Sequence, residues 1–240
     1  MMKKLLCSEW IKFRSDYMSV GLAIIFVVLL PFLMLSLDDV KNVGLEKRVM
    51  SELLHALYLA QIAIIIFASF HFGQEFVKSS FRTNCLAVPK RKKWLLAKFI
   101  FFFLLLFFLY FLALLLCLLL IIFYFKLNLT MPLLLNVGRQ VIPALISNFV
   151  FAFLAAGLTL IFQSWRVATA ILFPLLLGLS HLLLTFFREA KYLPDLATLS
   201  LFDYKEVAEK IELSGLGIQV LWLCLIVGSA IFLTLKRDVR

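Results

Sequence analysis

The chain has 240 residues, 64% of them hydrophobic and only 16% charged, with 26 phenylalanines, a net charge of +10 and a mean hydropathy of +1.04. Soluble domains carry roughly 45–50% apolar and about 25% charged residues, so this composition excludes a water-soluble protein and leaves an all-α polytopic membrane protein. The basic residues flank apolar runs rather than forming one soluble stripe, which assigns them to topology and anionic lipid headgroups and argues against nucleic acid as a partner.

At the N-terminus, Leu6, Trp10 and Phe13 are spaced by four and three residues, one face of a helix. The spacing predicts an interfacial amphipathic helix over 1–16, with Trp10 at headgroup level and Lys12 and Arg14 as anchors. The plainer alternative is a cytoplasmic extension of the first span. Six apolar runs follow, at 17–37, 53–73, 99–125, 140–163, 167–187 and 216–235. A hydrocarbon core about 30 Å thick needs roughly 20 helical residues, so each run can cross once. The third exceeds a perpendicular crossing, and tilt or protrusion absorbs the excess. The first is too long for a secretory signal, and no small-residue cleavage site precedes Asp38 and Asp39, so it reads as a retained span.

Between the second and third spans lies a basic polar island, 74–98, that opens with Glu75 at the end of a span and continues through Ser79, Ser80 and Arg82. Leu86, Ala87, Val88, Pro89, four consecutive cations from Lys90 to Lys93, and Lys98 at the root of the next span complete it. Proline disfavours helix just before itself and suits the opening of the next one. The expected layout is a surface helix over 76–87 and a second helix starting near Pro89 and entering the third span. With the N-terminus inside, the inside segments hold 15 of the 24 basic residues but only 4 of the 14 acidic ones, which puts both termini in the cytoplasm.

The outside segments are then 38–52, 126–139 and 188–215. In the last, Asp203 suits a helix N-terminus, Val207 and Ile211 share a face, and Glu206 faces Lys210, which predicts a short helix over 203–213 before the sixth span. Within the spans, Gln61, His71, Asn148, Thr159 and His181 are candidates to line a translocation path, because polar groups in lipid must face protein or water. Interhelical hydrogen bonding is the competing explanation, for these and for Ser180. Pro143 and Pro174 are expected to kink their helices.

Four scattered cysteines and three scattered histidines give no disulfide framework and no metal site. No phosphate loop, dinucleotide fingerprint, serine elbow or zinc-binding HExxH is present, so the chain is not expected to be an enzyme or to hydrolyse ATP by itself.

The order Glu75, Ser79-Ser80, Arg82, Leu86, Pro89, Arg91 and Lys98 resembles the signature of the permease subunits of type 2 ABC exporters, as does the six-span layout with a long last outside loop. Ser79 stands where that family usually has glycine. The resemblance implies a bacterial cell-membrane permease that pairs with a second copy or a related subunit. It implies docking of two cytoplasmic ABC ATPase subunits through those residues, the segment 76–87 acting as a coupling helix. ATP and Mg would be held by the ATPases, not by this chain. Glu75 would pair with a basic residue such as Arg82 or touch the ATPase, and the run Lys90–Lys93 would contact ATPase or lipid. The implied cargo is amphipathic or hydrophobic, of the antimicrobial-peptide, lantibiotic or antibiotic kind, consistent with greasy spans free of clustered charge. A secondary transporter and a non-transporting scaffold or immunity protein are the alternatives.

Overall fold

A computed structural model describes residues 2–36, 45–77, 91–124, 131–202 and 214–236. Among these residues the chain is helical throughout its regular structure and has no strand. The elements are α1 (Met2–Ser15), α2 (Tyr17–Ser36), α3 (Leu45–Gly73, closed by a 3₁₀ turn Gln74–Phe76), α4 (Arg91–Phe123), α5 (Met131–Phe162), α6 (Trp165–Pro174), α7 (Ser180–Phe186) and α8 (Ser214–Lys236). Six helical segments are long and apolar enough to cross a membrane: Tyr17–Leu35, Val49–Phe76, Arg91–Phe123, Val137–Phe162, Trp165–Phe186 and Ser214–Lys236. They coincide with the six runs read from the sequence.

Several helices outrun their apolar cores. α3 begins at Leu45, inside the expected loop 38–52, and α5 begins at Met131, inside the expected loop 126–139. Pro132 does not prevent this, because in the first turn of a helix its missing N–H has no intrahelical partner to lose. α4 takes in the cations Arg91 to Lys93 as its first turn, as expected of a helix opening near Pro89.

α3 and α5 form the centre of the bundle. Ala60 and Ala68 of α3, and Ala144, Ala152, Ala155 and Ala156 of α5, are fully buried, and such small side chains let two backbones approach closely where lipid supplies no hydrophobic drive. α2 packs on α3 and α4, α6 on α3 and α5, and α8 on α5. At the α5–α8 crossing a Cβ on Gly157 would lie 2.9 Å from a methyl of Ile226. α4 turns Phe103, Phe107, Phe108 and Phe111 outward, where hydrocarbon receives them.

The two proline expectations separate. α5 runs through Pro143 without interruption, whereas the fifth span breaks after Pro174 into a π turn, Leu175–Leu179, before α7. Gly178 sits there at φ +111°, a conformation glycine adopts at little cost. Beyond α7, Arg188–Tyr192 and Leu196–Phe202 form 3₁₀ turns, and the second lies against α3, α5 and α8 with Thr198, Leu201 and Phe202 buried. The helix expected at 203–213 lies outside the described residues.

Candidate functional site

Buried polar groups gather at two places. The first joins α1 to the facing ends of α3 and α4. The 3₁₀ turn that closes α3 presents Glu75, and α4 presents Lys98, two turns past its start. Glu9 of α1 points inward beside Phe13. Glu9, Glu75 and Lys98 are 2%, 4% and 1% exposed. Lys98 Nζ donates to Glu75 Oε1 at 2.7 Å and to Glu9 Oε2 at 3.2 Å. Lys12 Nζ donates to Glu9 Oε1 at 3.0 Å and to Glu75 Oε1 at 3.3 Å. Among the described contacts two carboxylates and two ammonium groups thus alternate, an arrangement that offsets a desolvation penalty of several kcal/mol per buried ion.

Beside it, Asp16 caps α2. The Ser19 backbone N–H donates to Asp16 Oδ2 at 2.8 Å, and Gln74 Nε2 donates to the same carboxylate and to Ser19 Oγ at 3.0 Å. Partial burial pushes the Asp16 carboxyl up, but the hydrogen bonds from Ser19 and Gln74 outweigh it and hold the group below the usual carboxylate range. The α1–α2 corner is therefore fastened to the end of α3 twice, once by ions and once by a cap.

Among the residues expected to couple to an ATPase, the structure brings Glu75 and Lys98 into contact and places Arg91, half-buried, in the first turn of the same helix. Ser79, Ser80, Arg82, Leu86 and Pro89 lie outside the described residues. The surface helix expected at 76–87 does not begin where its range implies. Phe76 closes a 3₁₀ turn and Val77 is extended at φ −86°, ψ 137°; the remainder of that range is outside the described residues.

The anchor residues divide as well. Trp10 is half exposed, its ring 6.0 Å from Phe13 and 6.5 Å from Phe101, and Arg14 is exposed. Lys12, expected as an anchor, turns toward Glu9 and Glu75, because two buried carboxylates attract it more strongly than a solvated headgroup layer. His71, one turn before Glu75, is packed among Phe13, Phe67, Phe72, Phe101 and Phe102, nearly parallel to Phe102 at 5.5 Å. Neither of its ring nitrogens has a hydrogen-bond partner among the described residues.

The second cluster lies toward the opposite end of the bundle, where the 194–202 segment tucks in. Gln219 Nε2 of α8 is 2.8 Å from the Pro194 carbonyl oxygen, 2.8 Å from Thr198 Oγ1 and 3.0 Å from Ser147 Oγ. Ser147 Oγ is 3.3 Å from Thr198 Oγ1, and Gln61 Nε2 reaches it at 3.5 Å. Asp195 is 5% exposed; its Oδ2 bonds Ser180 Oγ, and Oδ1 has no partner among the described residues. Tyr58 OH of α3 donates to the Leu176 carbonyl at 3.1 Å, satisfying an acceptor at the break in the fifth span. Burial lifts the Asp195 carboxyl above its usual range, against the opposing effect of the Ser180 contact.

The five path candidates are not brought together. Gln61 joins the second cluster, His71 sits beside the first, and Asn148 donates to the Leu57 carbonyl at 3.1 Å, tying α5 to α3. Thr159 is bonded to Ala155 of its own helix at 2.8 Å. His181 is exposed on the outside of α7, because the π turn rotates that helix so that Ser180, its neighbour, faces the interior. Sequence reasoning missed Glu9, Ser147, Asp195, Thr198 and Gln219. Glu9 was legible in part, one turn before Phe13 on the inward face of α1. The others needed the fold.

A cleft of about 250 Å³ also opens between α1, α2 and α4, walled by Trp10, Phe13, Val27, Leu105, Phe108 and Leu109 and wholly apolar. Among the described residues no group of three His, Cys, Asp or Glu side chains is placed to hold a metal ion. Comparison with protein families, with curated proteins and with solved structures found no match. Fold and composition together define a multi-pass, all-helical membrane protein.

Proposed function

We propose that this chain is the membrane subunit of an ATP-driven exporter, energised by separate cytoplasmic ATPase subunits that dock on the 74–98 segment, and that it moves an amphipathic or hydrophobic substrate out of the cytoplasm or the membrane. The observation that carries this reading is the ion cluster. Glu75 and Lys98 stand at the two roots of the 77–90 segment and are bonded to each other, and both are bonded to α1. A force applied to that segment by a partner therefore acts on α1, α3 and α4 together, which is what a coupling element requires. In this reading the termini are cytoplasmic, the membrane is the bacterial cell membrane, and the permease works as a pair of like or related subunits. The apolar cleft under Trp10 faces lipid and suits an acyl chain.

The test is affinity purification of the tagged chain from its native membranes, followed by mass spectrometry and ATPase assay. An ATPase subunit is expected to co-purify and to be lost with Arg82→Glu or Pro89→Ala; purification without any ATPase overturns the reading. One observation favours a second reading, transport driven by an ion gradient: the fifth span is broken beside a buried carboxyl group, as in many secondary transporters. Export that continues after ATP depletion and stops with an ionophore would select it.

A further inference from the structure

The 194–202 segment carries a carboxyl group, Asp195, into the bundle, and among the described residues no cation is bonded to it. Among the described residues, the ionisable side chains around Asp195 are the Tyr58 phenol on α3, His181 on α7, and Arg188, Glu189, Lys191 and Tyr192 on the 3₁₀ turn before it, all but Tyr58 exposed. The groups that α5 and α8 turn toward the segment are Ser147 and Gln219, an alcohol and an amide. A buried carboxylate is costly by several kcal/mol, the backbone N–H groups of Asp195 and Leu196 and the Ser180 contact offset only part of that, and Oδ1 has no partner among the described residues.

Counting hydrogens locates the missing charge. Ser180 Oγ faces two acceptor oxygens, the Leu175 carbonyl oxygen at 2.9 Å and Asp195 Oδ2. A serine hydroxyl carries one hydrogen and a carbonyl none, so a full hydrogen bond at each contact takes a second hydrogen. A hydrogen on Asp195 supplies the second. We propose that Asp195 is a proton-binding site: the neutral acid donates to Ser180, Ser180 donates to Leu175 at the break in the fifth span, and this relay latches the 194–202 segment into the end of the bundle. When the proton leaves, Ser180 has one hydrogen for two acceptors, and the segment carries an unpaired charge in an apolar setting. Deprotonation therefore favours expulsion of the segment into water, uncovering the face of α3, α5 and α8 that Leu201 and Phe202 now cover. The proposal holds whether ATP or an ion gradient drives the protein.

The experiment is a pH-difference infrared spectrum of the full chain in lipid nanodiscs, taken from roughly pH 4 to pH 9, a range that starts near the ordinary carboxyl value. The wild type is expected to show a protonated-carboxyl C=O band that persists above that value and disappears as pH rises further. In Asp195→Asn that band is expected to be missing. In Ser180→Ala, which keeps the acid and removes its acceptor, it is expected to remain but shift in frequency. A titration with sodium at fixed pH should leave the band in place. The proposal is overturned if the wild type shows no such band above the ordinary range, if Asp195→Asn retains it, if Ser180→Ala leaves its frequency unchanged, or if sodium removes it.

Discussion

The two ends of the bundle solve the same problem in opposite ways. At the α1 end, four ionised side chains from three elements neutralise one another, so every buried charge depends on all of its partners. At the 194–202 end, amides, hydroxyls and one carboxyl share hydrogens, and none of the described contacts is an ion pair. Charge pairing gives a joint that is rigid because losing one member strands the rest. Hydrogen sharing gives a contact that can be remade, since a hydroxyl or amide can rotate to a new acceptor or to water.

The largest expected effect is at the ionic joint. Lys98→Met leaves Glu9 and Glu75 short of a buried cation and is expected to cost about 3–5 kcal/mol of stability, read by denaturant or thermal unfolding in nanodiscs. Adding Glu75→Gln should recover part of that loss; a double variant no more stable than the single one would mean that the joint is not electrostatic. Next is Gly215→Ala. A Cβ there would run into the Ala197 carbonyl oxygen, so the segment must move, at a cost of about 1–3 kcal/mol, with faster proteolysis between 188 and 202 as the readout. Gln219→Leu removes the donor shared by Pro194, Thr198 and Ser147 and leaves them only the weaker bonds among themselves and to Gln61, for about 1–3 kcal/mol in the same assay.

The smallest effect is in pH dependence, where the two ends should differ in sign. The lowered Asp16 group contributes stability that is present above its unfolded value of roughly 3.9 and lost as pH falls through its lower folded value. The raised Asp195 group contributes stability that is present below the unfolded value and lost as pH rises through its higher folded value. Asp16→Asn should therefore flatten the fall of a Tm–pH curve below roughly 3.9, and Asp195→Asn the fall that begins above that value. Both variants changing the same limb would break the comparison.

How much of this was readable in advance follows from range. The six spans were legible because crossing a membrane demands only length and hydropathy. Glu75 and Lys98 were legible as span-end charges, but their bond was not, since it joins residues 23 apart. Glu9 reaches Lys98 across 89 positions, and no local pattern announces such a pair. The segment 188–215 reads as an outside loop because Asp195, Thr198 and their neighbours are polar. Burying them becomes favourable only once Gln61, Ser147 and Gln219, on three separate helices, supply partners. The break in the fifth span was foreseen at Pro174, whereas the left-handed residue is Gly178, four positions on, where the absent side chain rather than the absent N–H matters.

α4 has 33 residues in one uninterrupted helix. At 1.5 Å per residue that is about 50 Å, against roughly 30 Å of hydrocarbon. Lys98, bonded on two sides, pins it about 10 Å from its basic end and about 38 Å from Phe123. Such a rod is an unequal lever with its fulcrum near the short arm. A sideways push of 1 Å on Arg91 would swing the far end by roughly 3.6 Å, a gain in displacement set by where one lysine falls in the helix.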